Sequence, residues 1–220
     1  MGIKKVREGR LLLSFFYAEA NMNLYNIDSE YLDFLRTVDK RVPWQHKIKV
    51  NRPFIGVLII AKEKTYFAPL SSPKNKFLKM KDQIDFIKLA HGKLGAINLN
   101  NMIPVPETVC QAININKLIL SSSTTEKKYG LLLLNQWEWI NTNKDFIIKK
   151  AEDLHNRYIR DDLDFRVKNR CVNFPLLEKR LEQFNNKEIT TKEVIPPQKP
   201  KIKISFLERT NTSKDNGKGR

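Results

Sequence analysis

Up to about residue 113 the apolar residues of this chain come in short strand-like runs, and from about Thr124 they recur at helical spacing. That change of period restricts the fold more than any other feature. Strands are predicted over residues 23–27, 54–60, 65–70 and 84–89, then, past a turn at Gly92, over 95–99 and 109–113. Between the first two, Asp28 is placed to cap a helix whose apolar positions are Tyr31, Leu32, Leu35 and Val38, ended by Val42-Pro43-Trp44. In the second half, Leu131, Leu134, Trp137 and Ile140 mark one helix. Phe146, Ile147, Ala151, Leu154 and Tyr158 mark another, and residues 174–184 a third. The expected fold is α+β: a twisted, mostly antiparallel sheet covered on one face by packed helices.

At 220 residues with 41% apolar content, the chain is long enough to bury one principal core. That domain is expected to span residues 22–188. Residues 1–21 place Lys4, Lys5, Arg7 and Arg10 before an apolar stretch and a small-residue segment, the pattern of a short signal peptide. The apolar region is at the short limit for export, so an N-terminal extension or leader is the preferred reading. No segment approaches the roughly 18 apolar residues of a spanning helix, and a cytoplasmic setting without a membrane partner is expected. Residues 189–220 are read as a basic flexible tail. From Pro196 on they carry seven basic against two acidic residues and few large apolar side chains, too few to offset the entropy of ordering.

The formal net charge is +16, with 40 Lys and Arg against 24 Asp and Glu. A pI near 9.8 predicts a polyanionic partner, and the tail accounts for only part of the excess. Two cysteines, Cys110 and Cys171, exclude a disulfide scaffold and lie too far apart for a zinc signature. The histidines His46, His91 and His155 are scattered without metal-ligand spacing, so neither a metal nor another cofactor is expected. His91 reads as a polar turn residue between strands, with a catalytic role as the minor alternative.

The segment Phe67-Ala68-Pro69-Leu70-Ser71-Ser72-Pro73-Lys74 sets two hydroxyls and an ammonium at the end of an apolar strand-like run. A second cation, Arg52, leads into the strand Phe54-Ile55-Gly56. If the two strands pair as neighbours, Arg52 and Lys74 fall at the same end of the hairpin. Two cations beside a hydroxyl, with no acidic cluster nearby, suit a phosphodiester, because cations stabilise charge developing on phosphoryl oxygens. Lys47, Lys49, Lys76, Lys79, Lys81 and Lys93 cluster in sequence around this segment as candidate RNA-binding residues, and binding through them would weaken as salt rises. Phe77 and Trp44 are candidates for stacking on unpaired bases, with core positions as the alternative.

Read in order, Met22-Asn23-Leu24-Tyr25-Asn26-Ile27, the Arg52 and Ser72 segments, Leu94-Gly95-Ala96-Ile97-Asn98-Leu99, Met102-Ile103-Pro104 and Cys171-Val172-Asn173-Phe174-Pro175-Leu176-Leu177-Glu178 resemble the ToxN/AbiQ toxins. The likeness runs from about Met22 to Phe184. These toxins are the endoribonuclease components of type III toxin-antitoxin and phage abortive-infection systems. The resemblance implies a compact SH3-like barrel core related to the MazF/Kid and CcdB toxins. It implies metal-independent, sequence-specific RNA cleavage leaving a 2′,3′-cyclic phosphate and a 5′-hydroxyl. The partner implied is a small repeat RNA antitoxin that the toxin processes, with closure into protein–RNA assemblies. By the same resemblance Ser72 matches the serine needed for activity, with Ser71 where ToxN has threonine. Arg52 stands where ToxN has a lysine, which keeps the charge and alters its geometry. Arg52 and Lys74 are then assigned to transition-state charge and Ser71 to support of Ser72.

Two other readings predict different behaviour. A non-catalytic RNA- or DNA-binding module would use the same charge with Ser71-Ser72 as an ordinary strand-ending turn. A metal-dependent nuclease would use carboxylates such as Asp161, Asp162 and Asp164.

Overall fold

The computed structural model describes residues 22–44, 52–56, 60–61 and 64–193, with the side chains of 60–61 and 187–193 outside the description. The predicted leader at 1–21, residues 57–59 of the predicted second strand and the stretch beyond 193 therefore lie outside the described residues.

The architecture is α+β. An eight-stranded sheet has the order β5-β6-β4-β2-β1-β8, and every pairing in it is antiparallel. Its strands are β1 (Asn23–Ile27), β2 (Phe54–Gly56), β3 (Ile60–Ala61), β4 (Lys64–Ser71), β5 (Phe86–Leu89), β6 (Gly95–Asn98), β7 (Ile103–Pro104) and β8 (Cys110–Ala112). The hub is β4. It pairs with β2 and β3 along one edge and with β7 and then β6 along the other, so four partners meet on eight residues.

The helices are α1 (Ser29–Arg36), α2 (Asn75–Lys79), α3 (Ile115–Ile119), α4 (Thr124–Thr142), α5 (Lys144–Ile159), α6 (Phe165–Arg170) and α7 (Phe174–Glu193). Asp28 caps α1 as predicted, its Oδ1 accepting from the Glu30 N–H at 2.6 Å and the Tyr31 N–H at 3.4 Å. Tyr31, Leu32 and Leu35 are buried, while Val38 lies beyond the helix end and is exposed. Ser123 caps α4, which begins seven residues before Leu131. The predicted tail boundary at 189 falls inside α7, which continues to Glu193.

The sheet was expected to be covered on one face. On one face Leu24, Ile55, Ala68, Leu70, Ile87 and Ile97 belong to a core with Leu133, Ile140, Ile147, Leu154 and Leu177 of α4, α5 and α7, but the alternating Phe54 and Phe67 of β2 and β4 are buried as well, so the centre of the sheet is covered on both faces. At the β5–β6 corner the alternate positions Phe86 and Ala96 likewise form a second small cluster with Phe77 of α2, against which Met80 packs. A strand exposes successive side chains on opposite faces, so this corner is covered on both. The cover, α2, is too short to show a helical period in the sequence.

Candidate active site

The ladder between β2 and β4 pairs Phe54 with Pro69 and Ile55 with Ala68, and the Leu70 N–H donates to the Pro53 carbonyl at 2.8 Å. Continued two residues beyond the Phe54–Pro69 pair, this register sets Arg52 beside Ser71. On the other edge Ser71 pairs with Ala96 of β6, and Ala96 with Lys88 of β5. The end of the sheet is thus a row running Arg52, Ser71, Ala96, Lys88. Ser72 follows as the first residue past the strand and is exposed. Pro73 and Lys74 lead directly into α2, which places Lys76 and Lys79 on its exposed surface.

Two glycines bring the β5–β6 connection close against this strand end. Gly95 has φ of 102°, and a Cβ there would stand 2.0 Å from the Ser71 carbonyl oxygen. Gly92 has φ of 93°, and a Cβ there would stand 2.8 Å from the backbone of Phe77. Only glycine combines that conformation with so close an approach. Ala90 and His91 precede them with φ of 46° and 57°, so three consecutive left-handed residues build the turn. His91 is a turn residue between β5 and β6, as read from the sequence, and it is exposed on the turn that abuts the Ser71–Phe77 segment.

Hydrogen bonding at the strand end is specific. The Asn98 amide nitrogen donates to Ser71 Oγ at 2.9 Å and to the Pro69 carbonyl at 3.2 Å. Lys88 turns away from the surface, donating to the Met80 carbonyl at 2.8 Å with Asp82 3.5 Å away, and so ties the end of α2 to the sheet. The segment that follows the hydroxyls is basic. Residues 74–81 contain four lysines and no carboxylate, and Lys93 lies on the adjoining turn. The Lys74 and Lys76 ammonium groups stand 6.0 and 5.5 Å from the Phe77 ring centroid. Partial burial lowers the pKa of the Arg52 guanidinium from a value so high that it stays charged. A surface of this kind can hold a polyanion and place a hydroxyl against one of its phosphates.

Of the residues singled out in the sequence, Arg52, Ser71, Ser72, Lys74, Lys76, Lys79 and Lys93 are brought to one end of the sheet. Lys47 and Lys49 lie outside the described residues. Phe77 is a core residue of the small cluster and not a free stacking surface, whereas Trp44 is 55% exposed. The acidic run is used locally: Asp161 pairs with Lys168, Asp162 lies 3.6 Å from Arg157, and Asp164 caps α6. Among the described residues no group of three or more His, Cys, Asp and Glu is arranged to hold a metal ion. The thiols are packing groups. Burial raises the pKa of Cys110 to about 11 and of Cys171 to about 12, with Glu107 and Asp85 adding smaller increments. A cleft of about 990 Å³ opens at the opposite edge of the sheet, lined by Asn26, Gln111, Asn114 and Tyr129 among others, and includes none of the predicted site residues. The residues missed in the sequence are Asn98 and Lys88, whose relation to Ser71 exists only through strand register.

The family of the toxin ToxN of type III toxin-antitoxin systems matches residues 23–182, from β1 into α7. This chain belongs to the ToxN toxin family. Endoribonuclease ToxN of Bacillus thuringiensis subsp. kurstaki is 28% identical over 172 residues, covering 76% of this chain and 87% of that protein. Endoribonuclease ToxN of Pectobacterium atrosepticum is 28% identical over 180 residues, covering 78% and 99%. A solved structure from a type III system, one in which the toxin is inhibited by a non-coding RNA pseudoknot, superposes with a TM-score of 0.65 at 29% identity, covering 76% of this chain and 99% of that one. AbiQ, a lactococcal anti-phage endoribonuclease, shares the fold with a TM-score of 0.65 at 19% identity and the same coverage. Every candidate residue from Arg52 to Asn98 lies inside the family match. No helix among the described residues is long and apolar enough to cross a membrane.

Proposed function

We propose that this protein is a sequence-specific, metal-independent endoribonuclease toxin acting in the cytoplasm in phage abortive infection. The observation that carries the reading is the pair of hydroxyls at the end of β4, followed by Lys74 and the lysines of α2, in a chain that belongs to the ToxN family. Both curated relatives bear the name endoribonuclease, which supports the same class.

In the proposed reaction the substrate's own 2′-hydroxyl attacks the adjacent phosphorus. A P–O2′ bond replaces the P–O5′ bond, leaving a 2′,3′-cyclic phosphate and a 5′-hydroxyl. Ser72 hydrogen-bonds at the scissile phosphate and relays protons, Ser71 supports it, and Arg52 and Lys74 offset the charge gathering on the phosphoryl oxygens. Lys47, Lys49, Lys76, Lys79 and Lys93 track the RNA backbone. The toxin domain, residues 22–188, is read as an elaborated SH3-like barrel related to MazF, Kid and CcdB, flanked by the leader and the basic tail. A small repeat RNA antitoxin occupies the same basic surface, is processed there, and closes with the toxin into larger assemblies. The inhibition of a structural relative by an RNA pseudoknot supports that partner.

Induced expression of wild type and Ser72→Ala in a bacterial host, with growth and RNA 5′ ends read together, tests the reading. Growth arrest with discrete cuts by wild type alone, and the same cuts by purified protein in chelator, is the expected result. Equal toxicity of both proteins without new ends, or harmlessness of both, would favour the binding module.

A further inference from the structure

We propose that Asn98 is the residue that fixes the direction of the Ser71 hydroxyl, committing it to donate its proton toward the bound RNA. The inference rests on the ribonuclease reading of the same site.

The orientation of the Asn98 amide is set by its partners. A peptide carbonyl is an acceptor only, so the atom 3.2 Å from the Pro69 oxygen must be the amide nitrogen. That nitrogen carries two hydrogens, and the second is directed at Ser71 Oγ, 2.9 Å away. Ser71 therefore accepts from Asn98. A hydroxyl has one proton, and with its oxygen held by a donor that proton turns to another acceptor. Beside Arg52 and Ser72, on a surface that admits RNA, the acceptor supplied is a phosphoryl oxygen.

The fold explains why an asparagine is used. Pro69 brings no N–H into a central strand, an unusual place for proline. At this step β4 changes partner, from β7 at Tyr66–Phe67 to β6 at Leu70–Ser71, and Asn98 is the last residue of β6 before the 3-10 turn that makes the change. Its side chain spans Pro69 and Ser71, two residues on the same face of β4. Asn98 touches no substrate in this scheme. It is a positioning residue, and a Ser71 hydroxyl aimed at the phosphate beside Ser72 is the form that its support of Ser72 takes.

Single-turnover cleavage of a defined RNA oligonucleotide by wild type, Asn98→Ala, Asn98→Asp, Ser71→Ala and the Asn98→Ala/Ser71→Ala double variant tests the assignment. Thermal melting and filter binding of the same RNA are run alongside. Asn98→Ala is expected to slow cleavage about tenfold, below the 10²–10³ of a direct oxyanion donor, and to add nothing once Ser71 is alanine. Asn98→Asp is the sharper probe. Its carboxylate accepts from Ser71 and reverses the hydroxyl, whereas its protonated form donates as the amide does. Its deficit relative to wild type should therefore shrink as the pH is lowered from 8 to 5. A purely structural asparagine predicts parallel pH profiles, additive losses, and rate changes that follow melting temperature. Any of these results overturns the proposal. If wild type does not cleave, or Ser72→Ala cleaves as wild type does, it is the ribonuclease reading that fails; cleavage by wild type untouched at Asn98 leaves that reading standing and removes this inference alone.

Discussion

Two polar clusters hang from opposite faces of the same strand, and they are built on different terms. On the inner face Tyr66 sends its hydroxyl to Glu178 Oε1 at 2.8 Å, and His155 Nε2 lies 3.3 Å from the same oxygen. The rings of Tyr66, His155 and Phe174 pack edge to face or tilted around it, with centroids 5.2 to 6.0 Å apart. The His155 and Glu178 side chains are only 7% and 6% exposed. Burial first, and Glu178 second, push the Tyr66 hydroxyl far above its ordinary pKa, so it remains a donor. At the end of the strand Ser71 is held from one side, Ser72 is exposed, and the neighbouring charges face solvent. The inner cluster finds its partners within the protein and pins α5 and α7 to β4. The outer one is oriented by the protein and completed by something else. Buried polar groups of the first kind hold a fold together when fully satisfied, while an oriented, open group beside exposed cations is suited to chemistry.

The largest expected break in this comparison is Glu178→Ala. It strips one oxygen from two buried partners, and a loss of about 3–5 kcal/mol is expected by urea or thermal unfolding. RNA cleavage per folded molecule, read well below the melting temperature, should be unchanged. A specific loss of cleavage would mean that the two faces of β4 are not independent. Gly95→Ala is next, at about 3 kcal/mol or more, from a left-handed backbone and a Cβ driven into the Ser71 carbonyl. Unlike Glu178→Ala it should damage both properties, because the displaced atoms are those of Ser71 itself.

Asp39 sharpens the comparison through pH. Burial raises the pKa of its carboxyl, but the Arg41 side chain and the backbone N–H groups of Asn173 and Arg41 outweigh burial and leave it below the usual value. Arg41 holds the carboxylate with two bonds of 2.9 Å, and the Asn173 N–H with one of 2.7 Å. A folded-state pKa below the unfolded value of about 3.9 gives stability that is present above that pH and lost as the pH falls through the folded pKa. Asp39→Asn should cost about 2 kcal/mol at pH 7. Between pH 5 and 3 its melting temperature should fall less steeply than that of wild type, and equal slopes would assign the acid limb to other carboxylates.

How much of this was readable beforehand follows from element length and from partner separation. The helices α1, α4, α5 and α7 and the longer strands announce themselves because each shows at least two turns or several alternations of a one-sided apolar pattern. The five-residue α2 and α3 fall short of two turns and the two-residue β7 is a single alternation, so no pattern repeats in them, and Phe77 was open to reading as a stacking surface when it is core. Ser71, Ser72, Lys74 and Arg52 were legible because their residue types sit at visible strand ends. Asn98 and Ser71 are 27 residues apart, and Tyr66 and Glu178 112 apart. No local pattern connects such pairs. Register does, and register depends on the left-handed turn at 90–92 and on the partner change along β4, neither of which residue type alone dictates.

The smallest expected effects belong to the outermost charges, and they separate the two halves of the open cluster. Lys76 and Lys79 are exposed on α2, away from the hydroxyls but on the same surface. If they contact RNA only through phosphates, Lys76→Ala and Lys79→Ala should each weaken binding by about 0.5–1 kcal/mol and lower the slope of log affinity against log salt by roughly 0.7, the increment for one single-strand contact. The weakening should be uniform across RNA sequences, the melting temperature should stay within about 0.5 kcal/mol equivalent of wild type, and the cleavage rate at saturating RNA should not move. Lys74, next to Ser72, is expected to behave otherwise, losing rate at saturation as well as affinity, because its charge meets the phosphate that reacts. Should Lys74→Ala and Lys76→Ala give the same pattern, the division between a reacting end and a merely binding flank would disappear, and the entire basic surface would have to be treated as one electrostatic platform.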